Sequence, residues 1–486
     1  MTQKLTLKQR VAGSLAAMTV ALSPLAAGAE TLSDAMVSAY KTSGLLTQQR
    51  ALLRAEDENV AVAVSALRPV ISYSAQTNLG YSDPDLRRTS PTGLPSETWS
   101  GTLALSAQLL LFDFGATDKR IEIARENVMM AREALVGVEQ NVLLNAVTAY
   151  LNVLSANESV ALQANSVRLI TQELRAARDR FEVGEITQTD VSLAEARLAA
   201  ARAAEASAQG NLMVAREAYK AATGHYPGRL SPPPAPPSIP STVEAAKAQA
   251  RGRHPDILAS QRAVSISDMS VELSKLSTMP TLTANVTAQT GVSTTTTYAP
   301  APVGTTTSNR NSAGVSGGLT LSGPIYSGGR LSALYRQALA QAEASRAALL
   351  VTVQGIEQTV GNAWAQLSIA SASLQATDRQ IRASRVALRG AREEATLGAR
   401  TTLDVLNAEQ ELLDALASQI QARSDQYAAI YNLLAAMGLL TAEHLRLGIA
   451  TYDPSAYYNA VQNAPLRVVS PQGEKLEHIL EALGKR

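Results

Sequence analysis

From Val70 to Tyr81 apolar and polar side chains alternate, with Ile71, Tyr73, Ala75, Leu79 and Tyr81 on one face and Ser72, Ser74, Gln76 and Asn78 on the other. Trp99 to Leu111 repeats the pattern, setting Leu103, Leu105, Ala107 and Leu109 against Ser100, Thr102, Ser106 and Gln108. Two further segments, about 281–292 and 313–322, do the same. Leu282, Val286 and Val292 oppose Thr283, Asn285, Thr287 and Gln289, and Val315, Leu319 and Leu321 oppose Ser316, Thr320 and Ser322. A period of two predicts strands. Stretches of ~9–11 residues with one apolar and one uncharged polar face suit transmembrane strands. A soluble sandwich edge gives the same alternation, so the pattern by itself leaves both readings open.

The segments between the strand pairs read differently. From Ala116 to about Arg180 there is no proline, and Gly137 is the lone glycine. At ~1.5 Å per residue such a helix is a rod of roughly 100 Å, too long to flank a sandwich. The segment returning after Thr401 places Leu406, Leu413, Ile420, Tyr427 and Leu434 seven residues apart, which predicts a coiled-coil seam. Runs such as Ala199, Ala200, Ala201, Ala203 and Ala204 permit close helix approach. The connections inside the strand pairs, 82–98 and 293–311, are rich in Thr, Ser, Pro and Gly and read as long loops. Long loops on the outer side are a mark of outer-membrane barrels.

The chain is also a tandem repeat. At an offset of 214 residues Phe112 meets Tyr326, Tyr150 meets Trp364, Arg178 meets Arg392 and Gly184 meets Gly398. The same register pairs Thr187 with Thr401, Asp190 with Asp404, Glu195 with Glu409 and Gly224 with Gly438. We divide the chain into a leader (1–29), a first copy (30–226, helical hairpin 116–226), a proline-rich linker (227–240), a second copy (241–445, helical hairpin 329–440) and a tail (446–486). Four strands cannot close a barrel, and an open edge cannot face lipid. Other copies of the chain must complete it: a dimer gives eight strands, a trimer twelve.

Composition narrows the chemistry. Among 486 residues there is no cysteine, and the four histidines (His225, His254, His444, His478) stand apart. Zinc fingers, iron–sulfur clusters, disulfides and thiol nucleophiles are excluded, and no cofactor is expected. A net charge of +1 gives no footprint for nucleic acid. Lys4, Lys8 and Arg10, the apolar run to Leu25 and Ala27-Gly28-Ala29 make a secretory leader. No other run approaches the ~20 apolar residues of a spanning helix. Gly314-Val315-Ser316-Gly317-Gly318 matches a nucleophile elbow, but it enters a predicted strand and has no histidine nearby. No enzyme is expected.

With these marks in place, the sequence resembles the outer-membrane efflux proteins of the TolC type over about 31–445. The junctions Leu111-Phe112-Asp113-Phe114-Gly115 and Pro324-Ile325-Tyr326-Ser327-Gly328-Gly329 carry the resemblance. So do the hairpin tips Arg180-Phe181-Glu182-Val183-Gly184 with Thr189-Asp190-Val191, and Leu397-Gly398 with Asp404-Val405-Leu406. The resemblance implies a mainly α protein with a β-barrel part. A homotrimer would close a twelve-stranded barrel in the outer membrane, in contact with lipid, above an α-helical coiled-coil barrel in the periplasm. It implies a passive exit duct for efflux or type I secretion. Its partners would be a periplasmic adaptor (membrane fusion) protein and an inner-membrane pump or ABC transporter. A soluble periplasmic coiled-coil or adaptor protein is the alternative.

Two readings attach to the tips. Thr187 with Asp190, and Thr401 with Asp404, have the spacing of helix capping boxes. The resemblance adds a gate: Arg400 would reach Thr189 and Asp190 of a neighbouring hairpin, while Asp404 would line the constriction. Carboxylates ringed about an axis repel one another, which raises their pKa or recruits a cation. Ala395 stands where the family has a tyrosine in the link to the acid, and Asn407 replaces a second acidic ring residue, so the lock is expected to be weaker. Val183, Gly184, Leu397 and Gly398 are the expected adaptor-docking tips. Asp113 is expected at a turn or helix start.

Overall fold

The computed structural model describes residues 29–83 and 94–465. The predicted leader up to residue 28, the middle of the first strand connection and the tail beyond 465 lie outside the described residues. In chain order the elements are α1 (Leu32–Thr42), α2 (Gly44–Ser65), β1 (Val70–Ser82), β2 (Ser96–Phe112), α3 (Ala116–Glu182), α4 (Gln188–Thr223), α5 (Val243–Arg253), α6 (Pro255–Leu276), β3 (Thr281–Tyr298), β4 (Thr305–Ser322), α7 (Arg330–Thr396), α8 (Thr402–Ala436) and α9 (Pro454–Val461). Helices α3 and α7 each run 67 residues. No described helix is long and apolar enough to cross a membrane.

Two compact units form, and each draws on both sequence copies. One combines Gly44–Val138, Glu244–Thr359 and the chain from Ala450 on; the other combines Glu139–Val243, Val360–Ile449 and the chain up to Ser43. The first holds a single antiparallel sheet of order β1-β2-β3-β4. Strands β2 and β3 come from different copies, yet they pair from Ser96↔Thr297 to Phe112↔Leu282, with a register shift between Leu110 and Phe112. Two edges stay open, on β1 and on β4.

The strands of the second pair outrun their expected bounds. The loop expected over 293–311 shrinks to residues 299–304, because β3 continues to Tyr298 and β4 begins at Thr305. The reason is chemical. Threonine is polar enough to read as loop, but its branched Cβ favours the pleat. Thr296 stands opposite Thr307 and Thr297 opposite Thr306, and the hydroxyls of Thr296 and Thr307 lie 3.3 Å apart. The first connection is narrowed too, since β1 reaches Ser82 and β2 starts at Ser96. The elbow-like Gly314–Gly318 run lies inside β4. There it is strand, with no turn to expose a nucleophile.

Beyond β2 the chain turns sharply. Phe114 has φ 58° and Gly115 φ 86°. The Asp113 carboxylate accepts from Gly115 N (3.1 Å), Thr117 N (2.7 Å) and Thr117 Oγ1 (2.6 Å), which starts α3 as expected. The rings of Phe112 and Phe114 pack with centroids 4.7 Å apart.

Part of the unassigned tail has a definite place in this unit. Three arginines stack on three tyrosines of the α9 region: Arg50 on Tyr452 (5.3 Å), Arg54 on Tyr457 (5.6 Å) and Arg132 on Tyr458 (5.4 Å). Each stack contributes ~0.5–2 kcal/mol, more as it loses water. Tyr457 Oη donates to Glu58 at 2.7 Å, and the Arg68 guanidinium donates to the carbonyls of Asn463 and Ala464. Asp57 is fully buried here, and neither carboxylate oxygen has a hydrogen-bond partner among the described residues.

The second unit is held by close-packed helices. On α8 the expected register is buried at its ends, Leu406 and Leu434, and a row of alanines packs beside it. Ala415, Ala422 and Ala429 are buried seven residues apart, continuing to Ala436, while Leu413, Ile420 and Tyr427 stay half-exposed. Alanine wins the seam because a methyl side chain lets backbones approach closely. Where space is larger, Tyr150 fills it, and its hydroxyl donates to the carbonyls of Glu30 (3.1 Å) and Ser231 (2.5 Å).

Burial pushes the Asp57 carboxyl up to about 6, against the pull of Arg132 and Arg54. A carboxyl whose pKa is raised by folding stabilises the native state fully below its unfolded value and loses that contribution as pH rises through the folded one. Asp57→Asn should therefore raise the thermal midpoint at pH 7.5, by a free energy on the order of 3 kcal/mol at most, and flatten its pH dependence between about 4 and 6. Circular-dichroism melts of the detergent-solubilised protein at pH 4.5 and 7.5 check this; parallel curves for both proteins would refute it.

Candidate functional site at the hairpin tips

Both hairpin turns are built the same way. Helix α3 ends where Gly184 adopts φ 80°, with Gly184 N donating to Phe181 O (3.0 Å) and Glu185 N to Arg180 O (2.9 Å). Helix α7 ends at Gly398, φ 74°, with Gly398 N bonded to Ala395 O (3.1 Å) and Ala399 N to Glu394 O (2.9 Å). Left-handed backbone at a helix end is the reason for glycine here. Nothing lies within 4 Å of a Cβ built on either glycine, so the surroundings impose no steric bar. Val183 (71% exposed) and Leu397 (84% exposed) project at these turns.

The returning helices are capped identically. Thr187 Oγ1 accepts from Asp190 N (3.4 Å), and Asp190 Oδ2 accepts from Thr187 N (3.0 Å) and Thr187 Oγ1 (2.8 Å). Thr401 and Asp404 reproduce this at 3.3, 3.0 and 2.8 Å. Both predicted capping boxes are therefore present. Hydrogen bonds from the Thr187 backbone and side chain hold the Asp190 carboxyl below its usual range. Thr401 does the same for Asp404, first through its backbone, with a smaller pull from Arg400. The cap thus opposes the pKa rise expected from a ring of carboxylates.

Arg400 has a partner within its own hairpin. Within the chain its Nε meets Glu394 Oε2 at 2.5 Å, and it reaches neither Thr189 nor Asp190 among the described residues. Thr189 is exposed in the first turn of α4. Asn407, noted in the sequence only as a lost acid, accepts from Arg197 at 3.0 Å and so joins the two hairpins. Below the tips, Ile170, Leu174, Val191, Ala194, Leu198 and Leu406 form a buried cluster with contributions from both hairpins.

One pair of contacts escaped the sequence reading although its residues were aligned there. Arg178 pairs with Glu195 (2.6 Å) across the first hairpin, and the equivalent Arg392 pairs with Glu409 across the second. Arg392 also lies 3.6 Å from Glu173 of the first hairpin. The available signal was opposite charge kept at matching positions of both copies.

Comparison with known proteins decides the family. The profile of the outer membrane efflux protein family matches residues 35–225 and 247–439, one stretch in each sequence copy. The chain belongs to the outer membrane efflux protein family. It is 35% identical to the outer membrane efflux protein BepC of Brucella suis biovar 1, over 96% of this chain and 98% of that one. It is 27% identical to the alkaline protease secretion protein AprF of Pseudomonas aeruginosa, over 81% of each. The fold is similar to the Campylobacter jejuni CmeC outer membrane channel, with TM-score 0.68, 15% identity and 90% of each chain covered. As a member of this efflux family the protein is an outer-membrane exit duct that extends into the periplasm. The family is one of ducts rather than enzymes.

Removing a capping threonine tests the local geometry. Thr187→Ala should cost about 1 kcal/mol and speed amide exchange in the first turn of α4, leaving the Gly184 turn unchanged. The aspartate contribution is present at neutral pH and is lost as pH falls through the lowered Asp190 pKa. Exchange rates equal to wild type at pH 7 would show that the box contributes nothing.

Proposed function

We propose that the duct is a homotrimer whose hairpin tips form a charge-held periplasmic entrance, and that it passively conducts cargo received from an inner-membrane pump through a periplasmic adaptor. The observation that calls for further copies is the four-stranded sheet with two open edges, and the family resemblance sets their number at three. Three copies supply twelve strands and pair every edge, whereas an unpaired edge in hydrocarbon costs several kcal/mol per polar group. The sequence has no nucleotide-binding motif, which favours a partner as the source of energy. Secretion of protein and efflux of small molecules both fit, since AprF is named for protease secretion and BepC for efflux.

In the gate we assign Arg400 a link to Thr189 and Asp190 of a neighbouring protomer, in competition with Glu394 of its own chain. Asp404 faces the axis. Exposed links of this kind contribute about 0–1 kcal/mol each, so the lock is set by their number. Conductance in planar bilayers tests it. Wild type should show low conductance, blocked by a multivalent cation on the periplasmic side; Arg400→Ser should raise conductance, and Asp404→Ala should relieve the block. Adding Asp190→Ala to Arg400→Ser should change little, because both remove one link. Unchanged conductance together with undiminished block would leave these residues as caps.

Val183, Gly184, Leu397 and Gly398 are the docking tips for the adaptor. Their turn and docking roles separate by substitution. Asparagine tolerates the left-handed backbone, whereas valine does not. Gly184→Asn should leave heat-modifiable trimers in the outer membrane but weaken adaptor crosslinking and export. Full export by Gly184→Asn, with loss of the trimer itself in Gly184→Val, would reduce Gly184 to a turn residue.

A further inference from the structure

The four strands carry two charged residues among their described positions, Glu97 and Arg310. The register puts them on opposite faces. Glu97 stands opposite Tyr81 on β1 and Thr296 on β3, on the side of Trp99, Leu103 and Leu105, and Tyr298 Oη donates to it at 3.1 Å. Arg310 stands opposite Ser293, on the side of Thr283, Asn285, Thr287 and Gln289. That polar face lines the lumen of a closed barrel, because the apolar face must meet lipid.

Its height along the strand is equally defined. On the lipid face of β4, Leu321, Leu319, Val315 and Ala313 span nine residues with Gly317, and the same face then turns polar at Asn311, Asn309 and Thr307. Nine residues match the ~9–11 that cross the hydrocarbon. Arg310 lies past that band, toward the 299–304 turn and away from the strand-to-helix junction at the periplasmic end. It therefore occupies the outer mouth.

We propose that Arg310 and its two symmetry copies form a cationic collar inside the outer mouth of the duct, which concentrates anionic solutes bearing phosphate or carboxylate groups at the exit. The proposal rests on the trimeric duct reading. Twelve strands spaced ~4.8 Å apart and tilted ~40° give a backbone radius of about 12 Å. An arginine reaching inward from that wall brings its guanidinium within about one Debye length of the axis, ~8 Å at about 0.15 M salt. The field thus spans the cross-section. Elsewhere the described lumen face is Ser, Thr, Asn, Gln, Ala and Gly, with Val70 and Leu110 near the junction end of the strands, so no neighbouring strand charge opposes it. Rings of basic side chains confer anion preference on pores by this means.

The probe is inositol hexakisphosphate added to the outer side of single channels in planar bilayers. Wild type should be blocked, with block relieved by about 1 M salt, where the screening length falls to ~3 Å. Arg310→Gln should raise the half-blocking concentration roughly tenfold or more, Arg310→Glu should abolish block, and Arg310→Lys should retain it. Heat-modifiable migration confirms that each variant is a folded trimer. Because the chain has no cysteine, Arg310→Cys carries a lone thiol, and an anionic thiosulfonate reagent should then lower conductance from the outer side. Equal block in wild type, Arg310→Gln and Arg310→Glu, or no reaction of the thiol in open channels, overturns the collar while leaving the duct intact. Failure of wild type to form channels at all overturns the duct reading, and the collar with it.

Discussion

Every backbone N–H and C=O within hydrocarbon needs a partner inside the protein, and a sheet of four strands leaves two rows of them unmet. The rest of the architecture follows from that constraint. Strands β2 and β3 could close the gap between the two sequence copies because their registers match over most of their length, but the outer edges of β1 and β4 have no partner among the described residues. Solubility alone does not forbid such edges, since soluble proteins protect them with charge, proline or short length. Here the edge strands are 13 and 18 residues long, and β1 carries no charge at all. These edges are built to be paired.

Away from the membrane the problem is reversed. Long helices satisfy their own backbones, so their difficulty is lateral cohesion with little aromatic bulk. The chain uses three devices: methyl-sized seams such as Ala415 and Ala422, paired charges across each hairpin, and tyrosines under arginine planes. Each is individually modest. Their value lies in repetition along an element of 67 residues.

What could be read from sequence was local or repeated. Thr187 with Asp190 and Thr401 with Asp404 are legible because a capping box needs only four residues, and the duplicate guards against coincidence. The sheet was legible where alternation involved leucine and serine. It failed where both faces turned to threonine, since polarity and β-branching point opposite ways, and there the tertiary ladder decides. That failure also hid Arg310, which in a loop has no assigned face. The heptad register on α8 was legible at Leu406 and Leu434, but not that Ala415, Ala422 and Ala429 are buried between them, where close approach favours a methyl side chain. That Glu394, six residues before Arg400, lies within reach of its guanidinium was not legible from spacing alone. The tyrosines of the α9 region could not be matched to Arg50 and Arg54, for nothing local links positions so far apart.

That separation has a consequence for biogenesis. Tyr457 and Glu58 are 399 positions apart, and Arg68 meets a carbonyl 396 positions away. Contacts of such high contact order form late, after the intervening elements have shortened the effective loop between them. A chain threaded N-terminus first cannot make them until nearly all of it has emerged. The arginine–tyrosine clasp is thus a completion mark: a protomer lacking its C-terminal segment leaves Arg50, Arg54 and Arg132 unstacked, and is distinguishable from a finished one before any two copies meet.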